Sequence, residues 1–206
     1  MLTAFIASFL LIAVSELGDK TFFIAAILAM RHSRRLVFAG AASALAAMTI
    51  LSVLVGQVAT LLPRTYIQYA EIALFFGFGL KLLYEASKMP ASSCDTEIIQ
   101  EAKTAVDKAE FNLPKTQNAG AIVAEAFTLT FLSEWGDRTQ IATIALATRH
   151  PAVGVTIGAI LGHAVCAALA VVCGRMLAGR ISERKLTVAG GILFIIFGVM
   201  AAVEAA

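Results

Sequence analysis

Hydrophobic residues fill six long blocks of this chain, and polar residues are mostly confined to the gaps between them. The blocks run near residues 2–30, 36–62, 66–88, 119–148, 152–178 and 186–205. Each is long enough to cross a hydrocarbon layer of about 30 Å as a helix. The gaps carry charged or helix-breaking residues: Arg31-His32-Ser33-Arg34-Arg35, Pro63-Arg64, Arg149-His150-Pro151 and Ser182-Glu183-Arg184-Lys185. Gly and Ala recur inside the blocks, as in helices that pack closely within lipid. The pattern predicts an all-α integral membrane protein of six transmembrane helices. No Lys or Arg precedes the first block, as the start of a secretory signal would require, so that block is expected to remain as a span.

One stretch, about residues 89–118, is strongly polar, mixing Asp95, Glu97, Glu101, Asp107 and Glu110 with Lys103, Lys108 and Lys115. Within it Ile98, Ala102, Ala105, Val106 and Ala109 recur at helical spacing until Pro114. A linker with a short amphipathic helix on the membrane surface is expected, rather than a regulatory lid.

The chain also repeats itself. A shift of 118 residues lays Ser15-Glu16-Leu17-Gly18-Asp19-Lys20-Thr21 on Ser133-Glu134-Trp135-Gly136-Asp137-Arg138-Thr139. The register continues through Leu28-Ala29 on Leu146-Ala147, Arg31-His32 on Arg149-His150, Gly40 on Gly158 and Gly56 on Gly174. A slip of one residue then sets Gly79 on Gly198 and Glu85-Ala86 on Glu204-Ala205. Two related halves of three spans each, 1–88 and 119–206, flank the linker. An odd number of spans forces the halves into opposite orientations, as in transporters built from inverted repeats. Loop charges agree. Arg31, Arg34 and Arg35 follow the first span, but only Arg149 follows the fourth; Arg64 alone follows the second, but Arg175, Arg180, Arg184 and Lys185 follow the fifth. The basic side has switched between halves, which predicts both termini outside and the linker in the cytoplasm.

Composition narrows the class. The 206 residues are 59% hydrophobic and 15% charged, whereas soluble domains carry about 25% charge. That excludes an ordinary cytosolic enzyme, and a net charge of +2 gives no field suited to a nucleic-acid partner. Cys94, Cys166 and Cys173 are too few and too scattered for a disulfide framework, and the latter two read as small buried thiols.

Charge inside the spans carries the chemistry. Glu16 and Asp19 fall in the middle of the first block, and Glu134 and Asp137 in the middle of the fourth. An ionised group at that depth costs about 2.5–3.5 kcal/mol even on a lenient scale, so these groups must line a shared polar site. Helical spacing would put Glu16, Asp19 and Lys20 on one face, and Glu134, Asp137, Arg138 and Thr130 on another. Gly18 and Gly136 permit close helix approach or a local break that frees carbonyl oxygens. Four carboxylates, with hydroxyls from Ser15, Thr21, Ser133 and Thr139 and the Gln140 amide, suit a hard divalent cation such as Ca²⁺ or Mn²⁺. Four carboxylates and the cations Lys20 and Arg138 leave −2, which one divalent ion or two protons would cancel. Alternation between those two loads is the logic of an exchanger. An ion-pair network serving packing alone would instead join Glu16 to Lys20 and Glu134 to Arg138. His32 and His150 read as interfacial, and His163 as a hydrogen-bonded helix–helix donor. Glu71, Glu85, Glu125 and Glu204 fall near span ends and also read as interfacial; Gln57 is ambiguous.

The duplicated motif resembles the GDT-type cation/proton exchangers, the family of the Golgi calcium and manganese transporters. Their mark is Glu-x-Gly-Asp-(Lys/Arg)-(Thr/Ser), once in each half of a six-span core, and both copies here fit it. The resemblance implies that Glu16, Asp19, Glu134 and Asp137 bind the cation. It further implies a small bacterial member, in the inner membrane, that exports Mn²⁺ in exchange for protons, since bacterial relatives are mostly associated with Mn²⁺ efflux. Lys20 and Arg138 would hold the carboxylates until metal enters. No cofactor is expected beyond the transported ion. Ca²⁺/H⁺ antiport on the same site and proton-coupled export of a small organic solute are the alternatives. A passive channel would instead draw its acidic ring from oligomer symmetry.

Overall fold

Runs of Leu, Ile, Ala and Phe free of proline fold here as helices, and prolines mark two helix starts, Pro63 before α4 and Pro151 before α8. A computed structural model describes residues 1–89, 96–112, 118–177 and 183–205. The first four helices are α1 (Leu2–Glu16), α2 (Lys20–Arg31), α3 (Arg34–Ala59) and α4 (Arg64–Lys88). A linker helix follows, α5 (Thr96–Asn112), and then α6 (Ala119–Glu134), α7 (Arg138–Arg149), α8 (Ala152–Leu177) and α9 (Glu183–Ala205). Cys94, Asp95, Pro114, Lys115, Arg180 and Ser182 lie outside the described residues, as do the side chains of Glu97, Glu110, Arg175 and Glu183.

The described residues are all helix and connecting turn, with no strand. Four helices, α3, α4, α8 and α9, are long and apolar enough to cross a membrane. A fifth span arises if α1 and α2, bent by 67° at their break, count as one. The pair α6–α7, expected as a further span, is not among the candidate spans by length and composition. Exposed apolar side chains such as Leu54, Leu80, Val172 and Ile196 give the outer surface a lipid-compatible character.

Two cores form, each around a short helix that follows a break. Phe22, Phe23, Ile24 and Leu28 of α2 pack with Val37, Ala41, Ile122, Ala126 and Ala170. Ala142, Ala145, Leu146 and Ala147 of α7 pack with Leu11, Val53, Phe75, Val155 and Phe194.

Contacts cross between the halves. Along α8, Gly154, Gly158 and Gly162 meet α1 in order at Ala4, at Phe5 and Ser8, and at Ile12, so the two helices run in the same direction. On Gly158 a Cβ would clash with the Ser8 hydroxyl and the Phe5 carbonyl, which only glycine avoids. Its repeat counterpart Gly40 lies against α6 in the same way, a Cβ there falling 2.7 Å from that of Ala126. By contrast α4 and α9 run antiparallel and pack chiefly on one another: Phe76 meets Gly198, while Leu83 meets Gly191.

The linker helix α5 docks its apolar face on α2, with Ala102 and Val106 fully buried and Ile98 and Ile99 packed beside them. Lys20 pairs with Glu101 at 3.3 Å and Arg31 with Asp107 at 2.6 Å. These pairs are substantially exposed and add little stability next to the apolar contact.

Candidate metal site

Both breaks have one backbone geometry. Leu17 is extended at φ −64° and ψ 116°, Gly18 follows at φ +79°, and the Asp19 N–H closes the turn on the Glu16 carbonyl at 3.2 Å. Trp135, at φ −67° and ψ 112°, Gly136 at φ +83° and the Asp137 N–H to the Glu134 carbonyl at 3.1 Å repeat it. These are type II turns, whose third residue requires positive φ and hence glycine. A Cβ on Gly136 would meet nothing within 4 Å, so Gly136→Ala isolates backbone strain. It is expected to cost about 1–2 kcal/mol, and Gly136→Asn less, in thermal unfolding of the detergent-solubilised protein.

The turns correct the sequence reading. Because α1 ends at Glu16 and α2 begins at Lys20, helical spacing no longer relates Glu16 to Asp19 or Lys20. Lys20 pairs with Glu101 of the linker helix rather than with Glu16. Arg138 spans the halves to reach Asp19 at 3.3 Å. The packing-only pairs, Glu16 with Lys20 and Glu134 with Arg138, are replaced by these two.

What the turns do place together is a cluster of acids. One carboxylate oxygen from each of Glu16, Glu134 and Asp137 lies within 4.8 Å of the others. Two oxygens on opposite sides of a Ca²⁺-sized ion, each at about 2.3–2.6 Å, are separated by about 5 Å, so the cluster needs little adjustment to hold one. Glu16 and Glu134 are 3% and 2% exposed, and each keeps an Oε1 with no hydrogen-bond partner. Both stand at helix C-termini, where free carbonyls and the negative dipole end favour a cation. Thr21 Oγ1 donates to Glu16 Oε2 at 3.3 Å. Asp137 caps α7, accepting from the Thr139 N–H at 3.3 Å and the Thr139 hydroxyl at 3.2 Å.

The fourth expected ligand, Asp19, stands apart in its pair with Arg138. Beside that pair opens a cavity of 130 Å³, also lined by Ser15, Leu82, Glu85, Ile98 and Leu186. Ser15 is buried with its hydroxyl unpartnered, and Ser133 is half-buried. Gln140 serves the break, its Oε1 accepting from the Gly136 N–H at 2.7 Å and its Nε2 lying 2.9 Å from Met48 Sδ.

Several side chains read as interfacial sit inside. His32 and Glu125 are buried with Nε2 and Oε2 3.9 Å apart, because the α2–α3 turn folds over α6. Glu71, 4% exposed, receives Arg149 at 3.1 Å, and Arg149 also reaches Glu204 at 3.1 Å, beside a second cavity of 340 Å³. Gln57 donates to the Ala147 carbonyl at 2.6 Å.

The sequence pattern of the divalent cation/proton antiporter GDT1 matches residues 4–90 and 122–206, which contain both turns. The chain belongs to the GDT1 family. GDT1 proteins are membrane cation/proton antiporters rather than enzymes, which fits a multi-span chain with paired buried acids. GDT1-like protein sll0615 of Synechocystis sp. is 56% identical over 200 residues, covering 97% of each chain. GDT1-like protein 3 of Arabidopsis thaliana is 46% identical over 202 residues, covering 95% of this chain and 69% of its own. Protein PAM71-homolog, chloroplastic, of Arabidopsis thaliana is 39% identical over 211 residues, covering 95% of this chain and 58% of its own. No solved structure matches the chain.

Proposed function

We propose that this GDT1 protein exports Mn²⁺ from the bacterial cytoplasm in exchange for protons, with Glu16, Glu134, Asp137 and Asp19 as the metal and proton site. The observation that carries this reading is the approach of three carboxylates, the buried Glu16 from the first half and the buried Glu134 and half-buried Asp137 from the second, at paired helix breaks. Six inner-membrane spans in two inverted halves, 1–88 and 119–206, complete the picture, with both termini outside and the linker cytoplasmic. Support comes from the shared direction of α1 and α8, the antiparallel α4 and α9, and the two matching turns.

With Lys20 engaged by Glu101, four carboxylates and Arg138 leave the pocket at −3 rather than −2. One divalent ion or two protons bring it to the same −1, so exchanging one load for the other leaves the net charge unchanged. Because α1 seats on α8 and α3 on α6, rocking one half against the other as a body would break both seams. We assign the movement to the α4–α9 pair, which contributes Leu82, Glu85 and Leu186 to the cavity beside Asp19. The choice of Mn²⁺ rests on likeness to bacterial relatives, since oxygen ligands alone suit Ca²⁺ equally.

Proteoliposomes test the coupling. Vesicles made acidic inside should accumulate Mn²⁺ and become alkaline as they do so, with Ca²⁺ run in parallel. Metal entry with no proton exit would refute antiport. Faster Ca²⁺ than Mn²⁺ uptake would reassign the substrate.

A further inference from the structure

Behind Glu16 lies a second, smaller feature that the carboxylate cluster does not use. A small, partly open void of about 10 Å³ is lined by Glu16, Thr21, Leu45, Thr130, His163 and Cys166 and otherwise by apolar side chains. That is room for about one water-sized occupant, which would touch several of these side chains at once. Three of the lining residues carry a buried atom with no hydrogen-bond partner: Glu16 Oε1, Thr130 Oγ1 and His163 Nδ1. Their residues are 3%, 1% and 6% exposed, so bulk water does not satisfy them. A buried polar group left unpaired forfeits about 1–3 kcal/mol, and three around one void mark a place built for an occupant. His163, expected to be a satisfied helix–helix donor, leaves its Nδ1 without a partner. Its repeat counterpart, Leu45, faces the same void, so only the second half brings a nitrogen.

We propose that this void is the inner side of the cation site and that His163 contributes a nitrogen ligand which favours a first-row transition ion over Ca²⁺. This rests on the reading of Glu16 as a cation ligand. Glu16 is the one residue common to the void and the three-carboxylate cluster, so an ion it holds can draw donors from both sides. Ca²⁺ is held by oxygen and gains nothing from imidazole, whereas first-row divalent ions accept both donors. A pocket of carboxylates and threonine hydroxyls alone would discriminate poorly; one imidazole in its wall supplies the difference.

Pulsed electron paramagnetic resonance on the purified, Mn²⁺-loaded protein reads the contact directly. Wild type should show ¹⁴N coupling from a bound imidazole, and His163→Leu and His163→Asn should lose it. Competition titrations with Ca²⁺ should show Mn²⁺ affinity falling about 10–100-fold in both variants while Ca²⁺ affinity stays within about twofold. His163→Asn keeps a polar side chain in the void should the leucine variant fail to fold. Absence of ¹⁴N coupling in wild type, or an unchanged Mn²⁺ to Ca²⁺ preference in both variants, would overturn the role of His163. Glu16→Gln separates the two levels. If it abolishes Mn²⁺ binding while the histidine variants behave as wild type, the carboxylate site stands and the nitrogen ligand falls. If Glu16→Gln binds Mn²⁺ normally, both fall together.

Discussion

Glu16→Gln and Glu134→Gln should each abolish transport while raising the thermal stability of the metal-free protein. Two effects of opposite sign are expected because the two carboxylates are nearly fully buried, each with an unpartnered oxygen, and close to Asp137. Charges crowded away from water work against the fold, so an amide of the same shape relieves repulsion and raises the melting temperature. The same amide removes a charged ligand from a three-carboxylate cluster. Even groups that merely orient metal ligands are worth about 10–100-fold in affinity, so loss of a ligand should lower Mn²⁺ flux by about 100-fold or more. Wild type should gain stability with added Mn²⁺, as any ligand specific to the folded state confers, and the variants should not. Asp137→Asn belongs to the same series, since asparagine still caps α7 while lacking charge. Thermal unfolding with and without Mn²⁺, beside flux in proteoliposomes, checks both signs. A purely structural acid would give the reverse pattern, with lower stability and retained flux.

The motif, its duplication and the bounds of the four unbroken spans were legible because each rests on local physics. Apolar runs must become helices in lipid, and a Gly between Glu and Asp invites a turn. Thus the expected spans 36–62 and 66–88 correspond to α3 (Arg34–Ala59) and α4 (Arg64–Lys88). Partner choice was much less legible. Helical spacing assigned Lys20 to Glu16, but that argument holds only along an unbroken helix, and the Gly18 turn re-aims Lys20 toward Glu101. Similarly, Glu71 and Glu125 were placed by depth within a span, whereas their burial depends on Arg149 and His32 arriving from other helices. His163 had no local signal at all: a lone histidine in an apolar helix reads the same whether its nitrogen is satisfied or faces a void. Equal sequences at the two turns also hid unequal pairing, since Asp137 caps its helix and joins the cluster while Asp19 is held by Arg138.

That asymmetry yields the second large effect. Arg138→Gln should lower both KM and kcat, whereas Asp19→Asn should raise KM and lower kcat. Arg138 and Asp19, 3.3 Å apart and 28% and 22% exposed, border the cavity next to the cluster. Loss of the guanidinium takes the pocket from −3 to −4 and frees Asp19 to join the cation. A unit charge about 6 Å away, in surroundings of effective dielectric about 20, is worth at most about 3 kcal/mol, and salt reduces it further. Cation binding should therefore tighten about 10–100-fold, and release should slow in proportion. Asp19→Asn works the other way, leaving Arg138 uncompensated beside a cluster that has lost its fourth carboxylate. The double substitution Asp19→Arg with Arg138→Asp decides whether the pair serves only as a latch. It preserves the ion pair across the halves, so recovery of wild-type kinetics would confine Asp19 to holding Arg138. Continued loss of flux is expected, because Asp19 must also leave that partner and meet the ion, which an arginine at the same turn would repel.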